Sequence, residues 1–593
     1  MARALKSEQA SRETRYKLNQ ELFEGQNGTT DTGKVLMPAD SDITYNSFRS
    51  LVLTACSTVF APQKPKPQFM TSGAEWKVRR RAQKADKFCE GILRQRHEQH
   101  LDAWAFMLQR RAESLCQGAG PVYVYANATT KQICLEGVPV TELFVDPAER
   151  QNPRTLCRVY DRSSDELLEE FGDSAERAHA IESALDVRLN STATVPKRSK
   201  RVEVIEWWRV GVEPDDEGDY DGQHTIVVNG EEMLSKDDSA WTAPMFPFVF
   251  VQCETRLDDR QFWGLGFIES TMQLGMEGNR ALQAIQRQMV VNSGRRVYYT
   301  DGSIRPEHLE SNDAETHIPV VPGFQLPNVE QPAPFHPVQL QYVQEIFKLQ
   351  FDQIGVSQVS AAARREPGIE SAVAQRTLND TKAGRQLWMA KAFENDFVEL
   401  GHQFMWRAKE LKNVAGNFSV QYVGKHEIRE FSYDEIALDR YPFIVQVAPA
   451  SALPQDYAGR LSLVQEMMAS GMVGLETGKQ LLAWPDLEHE VSTESAEYDY
   501  IDSLVDRYLD ADEDDWDQGD YESPEGFLVD KQRALLQVSA AYFRGKLDKA
   551  PDFNITLLSR YIGELDAQIQ TAAQSAAALQ GPPPGAGALP PGM

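Results

Sequence analysis

Long apolar runs are missing from this 593-residue chain. Crossing a bilayer takes about 20 consecutive apolar residues, and no stretch approaches that, so no membrane partner is expected. The polar opening MARALKSEQASRETR has no apolar core, which predicts no secretion signal either. Paired cysteines are missing too. Cys56, Cys89, Cys116, Cys134, Cys157 and Cys253 are scattered without a CxxC pair, which argues against a zinc site and a disulfide framework and suits a reducing cytosol. Catalytic signatures are equally scarce. Gly264 and Gly266 lack the third glycine and the following acidic residue of a dinucleotide fingerprint, and there is no P-loop, HExxH or GxSxG. The nearest histidine grouping, His97 and His100 around Glu98, is placed on a basic helix at a spacing that suits solvent better than a metal. The expectation is a protein that is not an enzyme, with no cofactor and no metal.

Positive charge is also in deficit, with 61 basic residues against 88 acidic ones and a net charge of −27. That is the opposite of what a protein gripping DNA requires, because phosphate contacts are made by Lys and Arg. The acids concentrate between Asp499 and Asp520, in DYIDSLVDRYLDADEDDWDQGD. There Asp514, Gly519 and Glu525 fall at the first, sixth and twelfth positions of an EF-hand-like loop, but Trp516 stands where an oxygen ligand is needed and Pro524 stiffens the exit. A solvated acidic face fits better than a calcium site. The bases crowd one predicted helix through Lys77, Arg79, Arg80, Arg81, Lys84, Lys87, Arg94 and Arg96. Two readings stand for it: a contact to DNA or capsid, or, favoured here, a wet face paired to acids elsewhere in the chain.

What is present is hydrophobic patterning, at 41% apolar content, enough for several packed domains of α+β class. Strands are predicted in PVYVYANA (121–128), KRVEVIEWWRVGV (200–212) and PMFPFVFVQC (244–253). Two later ones, NFSVQYV (417–423) and YPFIVQVAP (441–449), are expected to join that same α+β domain of residues 40–260. The richest stretch begins at QFWGLGFIES. Ile268, Met272, Gly275, Gly278, Leu282, Ile285 and Met289 recur three and four apart, the face of one long helix whose small residues let neighbouring helices lie close. Its other positions, Asn279, Gln283, Gln286, Gln288 and Asn292, are polar but uncharged. A short β module follows at Arg295, Arg296, Tyr298 and Tyr299, then six prolines from Pro319 to Pro337. A second helix carries Leu340, Val343, Phe347 and Ile354 and ends near Gly355. After SQVSAAARREPGIES comes another, about 371–412, striped by Phe393, Phe397, Leu400, Phe404, Ala408 and Leu411. The geometry is a hairpin of helices with a small β module at its tip.

This order of parts resembles the portal proteins of tailed bacteriophages, the head-to-tail connector ring at the unique capsid vertex. VPVTELFVDPAER (138–150) is similar to that family's strand and turn ending in Asp-Pro. ITYNSFRSLVLTACSTVFAPQKPKPQF is similar to its early helix and proline-rich strand, and LSLVQEMMASGMVGLETGKQLLAWPD to the helical pair that leads to its crown. The likeness runs in order over roughly residues 40–510, and no single motif carries it.

The resemblance implies an N-terminal arm (1–39), a wing (40–263 and, with the long helix, 372–454), stem helices (264–293 and 337–357), a clip (294–336), a tunnel loop (358–371), a helical crown (455–570) and a disordered tail (571–593). It implies a homo-oligomeric ring, expected as a 12-mer, with Arg364, Arg365, Glu366 and Gly368 facing the channel. Double-stranded DNA would pass through, the terminase large subunit and head-tail adaptor proteins would dock, and major capsid and scaffolding proteins would surround it. The location implied is the virion, with the host cytoplasm during assembly. Twelve copies would carry a net charge on the order of −300, which suits a conduit that lets DNA slide. With no Walker motif, packaging energy would come from a separate ATPase. The alternative is another multi-copy head-tail connector or capsid-associated structural protein.

Overall fold

The computed structural model describes residues 2–25, 43–61, 64–71, 76–149, 152–191, 200–214, 219–235, 239–252, 254, 262–293, 296–298, 300, 323, 328–330, 337–356, 372–423, 428–437, 443–447, 457–472, 488–513, 516–525, 528 and 530–579. Helices and sheets are both extensive, so the protein is of α+β class. It forms two compact units, Met1–Lys64 with Leu93–Leu411, and Pro65–Ile92 with Lys412–Met593.

In chain order the elements are α1 (Ala2–Glu8), α2 (Ala10–Glu24), α3 (Ser47–Ala55), β1 (Pro67–Thr71), α4 (Trp76–Arg94), α5 (Ala103–Gln117), β2 (Ala119–Asn127), β3 (Gln132–Gly137), β4 (Leu143–Val145) and β5 (Thr155–Ser163). There follow α6 (Ser164–Phe171), α7 (Ala175–Ser191), β6 (Arg201–Arg209), β7 (Gly222–Val228), β8 (Glu231–Glu232), β9 (Ala240–Trp241), β10 (Phe248–Gln252), α8 (Phe267–Ser293), β11 (Arg296–Tyr298), β12 (Asn328–Glu330) and α9 (Pro337–Ile354). The chain continues through α10 (Ala372–Ala415), β13 (Ser419–Val423), β14 (Ile428–Ser432), α11 (Tyr433–Ile436), β15 (Phe443–Val447), α12 (Tyr457–Ala469), α13 (Glu488–Asp510), α14 (Lys531–Leu547) and α15 (Asp552–Leu579).

The first unit holds two antiparallel sheets. One runs β4-β5-β6-β7, with β8 and β9 both pairing β7, and the other runs β10-β2-β3. In β6 the sequence RVEVIEWWR buries Val202, Val204, Glu206 and Trp208 on one face, as the period of two requires. Trp208 meets Phe248 edge to face at 5.2 Å, joining β6 to β10. α6 and α7 cover Val202, Val204, Ile226 and Val228 with Leu167 and Ile181. The N-terminal segment is two docked helices. Buried Arg12 donates through Nη2 to the Leu143 carbonyl at 2.6 Å and lies 4.8 Å over Trp263, while Asn19 Nδ2 donates to the Cys116 carbonyl. α5 is capped by Asp102, whose carboxylate accepts from the Ala105 N–H at 2.7 Å. Its end approaches Gly264 so closely that a Cβ on that glycine would stand 2.5 Å from the Gly118 carbonyl oxygen.

Of the two later strands, β15 pairs with β1, a strand within residues 40–260 as expected, whereas β13 pairs with its sequence neighbour β14. β1 supplies the missing edge because its alternation turns Pro67 and Phe69 inward, with Phe69 opposite Val445. The helices α13, α14 and α15 enclose Leu504, Tyr508, Val538, Leu558, Tyr561 and Leu565. The tail expected from residue 571 is still helical to Leu579, since TAAQSAAAL is rich in alanine, the strongest helix former.

Candidate functional site

The paired helices α8 and α9 form the predicted hairpin. Ile268, Gly275, Gly278 and Ile285 are buried on α8, Met272 and Leu282 are half-buried, and Met289 stands exposed beyond the packed part of the stripe. On α9 the buried positions are Val343, Ile346, Phe347, Gln350 and Phe351. Leu340, expected in that stripe, is exposed, because it precedes the first residue of α9 that packs on α8, and Ile354 is half-buried.

The two glycines are covered by this chain's own side chains. A Cβ at Gly275 would lie 2.9 Å from Phe48 Cε1 and 2.8 Å from Gln350 Nε2, and one at Gly278 would lie 2.7 Å from Phe347 Cζ. The uncharged polar face also has a local use. Asn279 Oδ1 accepts from the Tyr45 N–H at 2.9 Å, and Gln283 Nε2 donates to the Ile43 carbonyl at 3.5 Å, so these amides fasten the strap that leads into α3. Gln353 Nε2 ties α9 back to the Ser270 carbonyl at 3.1 Å.

At the tip, Arg296 pairs with Glu330 and Tyr298 with Asn328 in the register of the β11–β12 ribbon. Arg295 and Tyr299 lie outside the described residues, as do Arg364, Arg365, Glu366 and Gly368. On the near side of that loop, α9 ends at Gly355, whose φ of +82° is the left-handed cap glycine supplies.

Beyond it α10 runs for 44 residues, with Phe393, Phe397, Leu400, Phe404, Ala408 and Leu411 all buried. Polar side chains that apolar periodicity does not reveal anchor it. Arg111 of α5 and Asp396 form an ion pair with the guanidinium fully buried, and Arg111 also donates to the Gln252 carbonyl at 2.5 Å and lies over Phe60 and Phe393. Burial pushes the Asp396 carboxyl up to about 7, and Arg111 offsets this only in part. Gln403 Nε2 donates to the Phe246 carbonyl, and Arg407 lies 4.6 Å over Trp241. A charged residue inside an aromatic stripe is the only sign the sequence gives of this arrangement.

In the second unit, the basic face of α4 meets acids of α13, as favoured above. Arg80 bonds Asp506 (3.2 Å) and Asp510 (2.8 Å), Lys84 reaches Asp510 (3.3 Å) and Glu435 (3.5 Å), and Lys87 reaches Asp506 (3.4 Å). Lys77 pairs with Asp512 and Arg79 with Asp548, and Arg429 also approaches Asp506. Burial would raise the Asp510 carboxyl, but Arg80 and Lys84 more than reverse it, so its pKa is lowered. Asp506→Asn weakens three of these contacts together. It is expected to cost about 1–2 kcal/mol of second-unit stability at low ionic strength, falling below half that in about 1 M salt, as read by denaturant unfolding.

Two side chains of the EF-hand-like stretch are engaged in other contacts. Trp516 packs 6.0 Å from Tyr508 and 6.2 Å from Phe553, Glu522 is taken by Tyr500 and Arg507, and Asp514 lies outside the described residues. Glu98 and His100 are not on the basic helix, which ends at Arg94. They form a separate short turn in which Glu98 accepts from the Gly137 N–H at 2.7 Å.

One feature had no forerunner in the sequence reading, a polar pocket of about 1220 Å³ on the first unit. Its wall includes Tyr123, Tyr125, Arg158, Tyr160, Glu206 and His224. Arg158 bonds Glu136 at 2.8 Å and Glu142 at 3.2 Å and lies 4.2 Å over Tyr160, while His224 Nε2 meets Glu206 Oε1 at 2.9 Å. Arg158 of β5 thus answers Glu136 of β3 and Glu142 of the turn before β4, while Glu206 of β6 meets His224 of β7. None of the described helices is long and apolar enough to cross a membrane. No protein-family model matches the chain, and no curated protein is significantly similar to it.

Proposed function

We propose that this chain is a viral portal protein, a subunit of the oligomeric ring through which DNA enters and leaves a capsid and on which the terminase motor and the head-tail adaptors dock. The observation that carries the reading is a succession along the chain: a 27-residue helix, a two-stranded ribbon, an 18-residue returning helix and, after a 17-residue connection, a 44-residue helix. The hairpin would be the stem, the ribbon part of the clip, residues 358–371 the tunnel loop, and α12 to α15 the crown.

The acidic balance supports a conduit over a clamp, because a net charge of −27 per copy leaves few phosphate contacts to hold DNA in place. The internal pairing of the α4 cations removes the largest basic cluster from the candidates for DNA binding. On this reading the chain performs no chemistry and takes its driving force from a separate ATPase. Electron microscopy of the purified full-length protein tests it. The expected result is rings, of about 12 copies on this reading, with a central opening wide enough for a duplex. Monomers or solid particles at all concentrations would sink the reading.

A further inference from the structure

We propose that the outer face of α14 binds the acidic residues of 511–513 and 516–525 in a second copy of this chain. The argument begins with a helix that is apolar on two sides. At 3.6 residues per turn, Ala534, Val538 and Gly545 fall within about 40° of one another around the axis, and these are the residues buried in the bundle. Leu536, Ala540, Phe543 and Leu547 fall within about 60° of one another on the opposite side. There Leu536 is 71% exposed, Phe543 68% and Leu547 80%. One large apolar side chain in water is ordinary, but three in register along one helix face mark a surface that is covered in use.

Charge identifies the cover. α14, KQRALLQVSAAYFRGKL, has four basic residues and no acidic one, in a chain whose net charge is −27. Arg533 and Arg544 flank the exposed stripe on one side and Lys546 on the other. The connection leading into this helix, ADEDDWDQGDYESPE, has eight acids and no lysine or arginine. Glu513, Asp517, Asp520 and Glu525 are exposed on it, Asp512 being paired with Lys77, and the rings of Trp516, Tyr521 and neighbouring Tyr500 are partly accessible between them. Basic-rimmed apolar stripe and acidic, aromatic-studded segment are complementary.

The same charges set the symmetry. Pairing two α14 faces would place Arg533, Arg544 and Lys546 against their own copies, so an isologous dimer through this face is disfavoured. A contact between two different surfaces of the same unit is heterologous, and such contacts propagate into a closed ring or an open filament. The inference needs only self-association and stands apart from the channel reading.

The test uses the full chain and native mass spectrometry across a concentration series. Leu536→Glu with Phe543→Glu is expected to raise the concentration for half-assembly on the order of 100-fold, with helix content unchanged because both positions are exposed. A charge exchange then separates contact from mere damage. Arg533→Glu with Arg544→Glu, and separately Glu513→Lys with Glu525→Lys, are each expected to impair assembly alone and to assemble when mixed. Unchanged assembly of the first variant, or no rescue on mixing, overturns the proposal. So does loss of duplex-DNA binding in the Arg533→Glu, Arg544→Glu protein with its assembly intact. Rings that survive every variant would leave the channel reading standing without this interface. Filaments abolished by the variants would support the interface and remove the channel reading, and a monomeric wild type would remove both.

Discussion

Asp396→Ala is expected to destabilise the first unit by about 3–5 kcal/mol, measured as a fall in the denaturant midpoint. The loss is large because the substitution strands Arg111. That guanidinium is fully buried and cannot shed its proton at any accessible pH, and a lone hydrogen bond to the Gln252 carbonyl does not replace a carboxylate. Arg111→Met, which roughly keeps the volume, is expected to cost less near neutral pH, since a carboxyl already pushed up to about 7 by burial can take a proton when its partner is gone.

The two variants therefore separate by pH. A carboxyl whose folded pKa lies above its unfolded one adds stability at low pH and loses it as pH rises toward the folded value. In the wild type that decline spans about pH 4 to 7. In Arg111→Met the folded pKa rises further, so the decline extends above pH 7, at up to about 1.4 kcal/mol per unit. Parallel stability profiles for wild type and Arg111→Met between pH 7 and 9 would rule this account out.

Gly275→Leu with Gly278→Leu is expected to be the most damaging pair in the hairpin, at about 2–6 kcal/mol if the protein folds at all. Phe48 and Phe347 are buried and cannot swing clear, and even a Cβ at either position intrudes on them. The defect should appear in the isolated subunit as faster hydrogen exchange along α8 and α9, before any effect on assembly. Normal exchange in the subunit combined with failed assembly would mean that these glycines serve contacts between copies instead.

The helices were legible because burial repeats along them at a fixed period. Phe393 to Leu411 and Ile268 to Ile285 announce their inner faces by spacing alone, and a glycine at 355 announces where α9 stops. What spacing does not encode is partnership across distance. β13 and β15 were recognisable as strands, but their mates were not, because four or five alternating residues fit many edges equally well. Nothing local distinguishes Asp396 from a solvent-facing acid until Arg111 is brought beside it from 285 positions away. The polar pocket was invisible for the same reason, being assembled from residues of β2, β3, β5, β6 and β7 that come together only in register. The pairing of α4 with α13 was anticipated in kind, since a block of bases and a block of acids in one chain invite neutralisation, but not in its particular bonds.

The antiparallel match of β1 with β15 also orders events in time. Thr71 is opposite Phe443, 372 positions later. At about 5–20 residues per second of synthesis, β1 and the basic helix behind it emerge roughly 20–80 s before the strand and the acids that complete them. Meanwhile the intervening chain, which builds the whole sheet core of the first unit, can settle. The second unit thus closes only after the intervening chain has been made, and a chain cut short before Phe443 would leave Phe69 without Phe443 and Arg79, Arg80 and Lys87 without the acids that neutralise them.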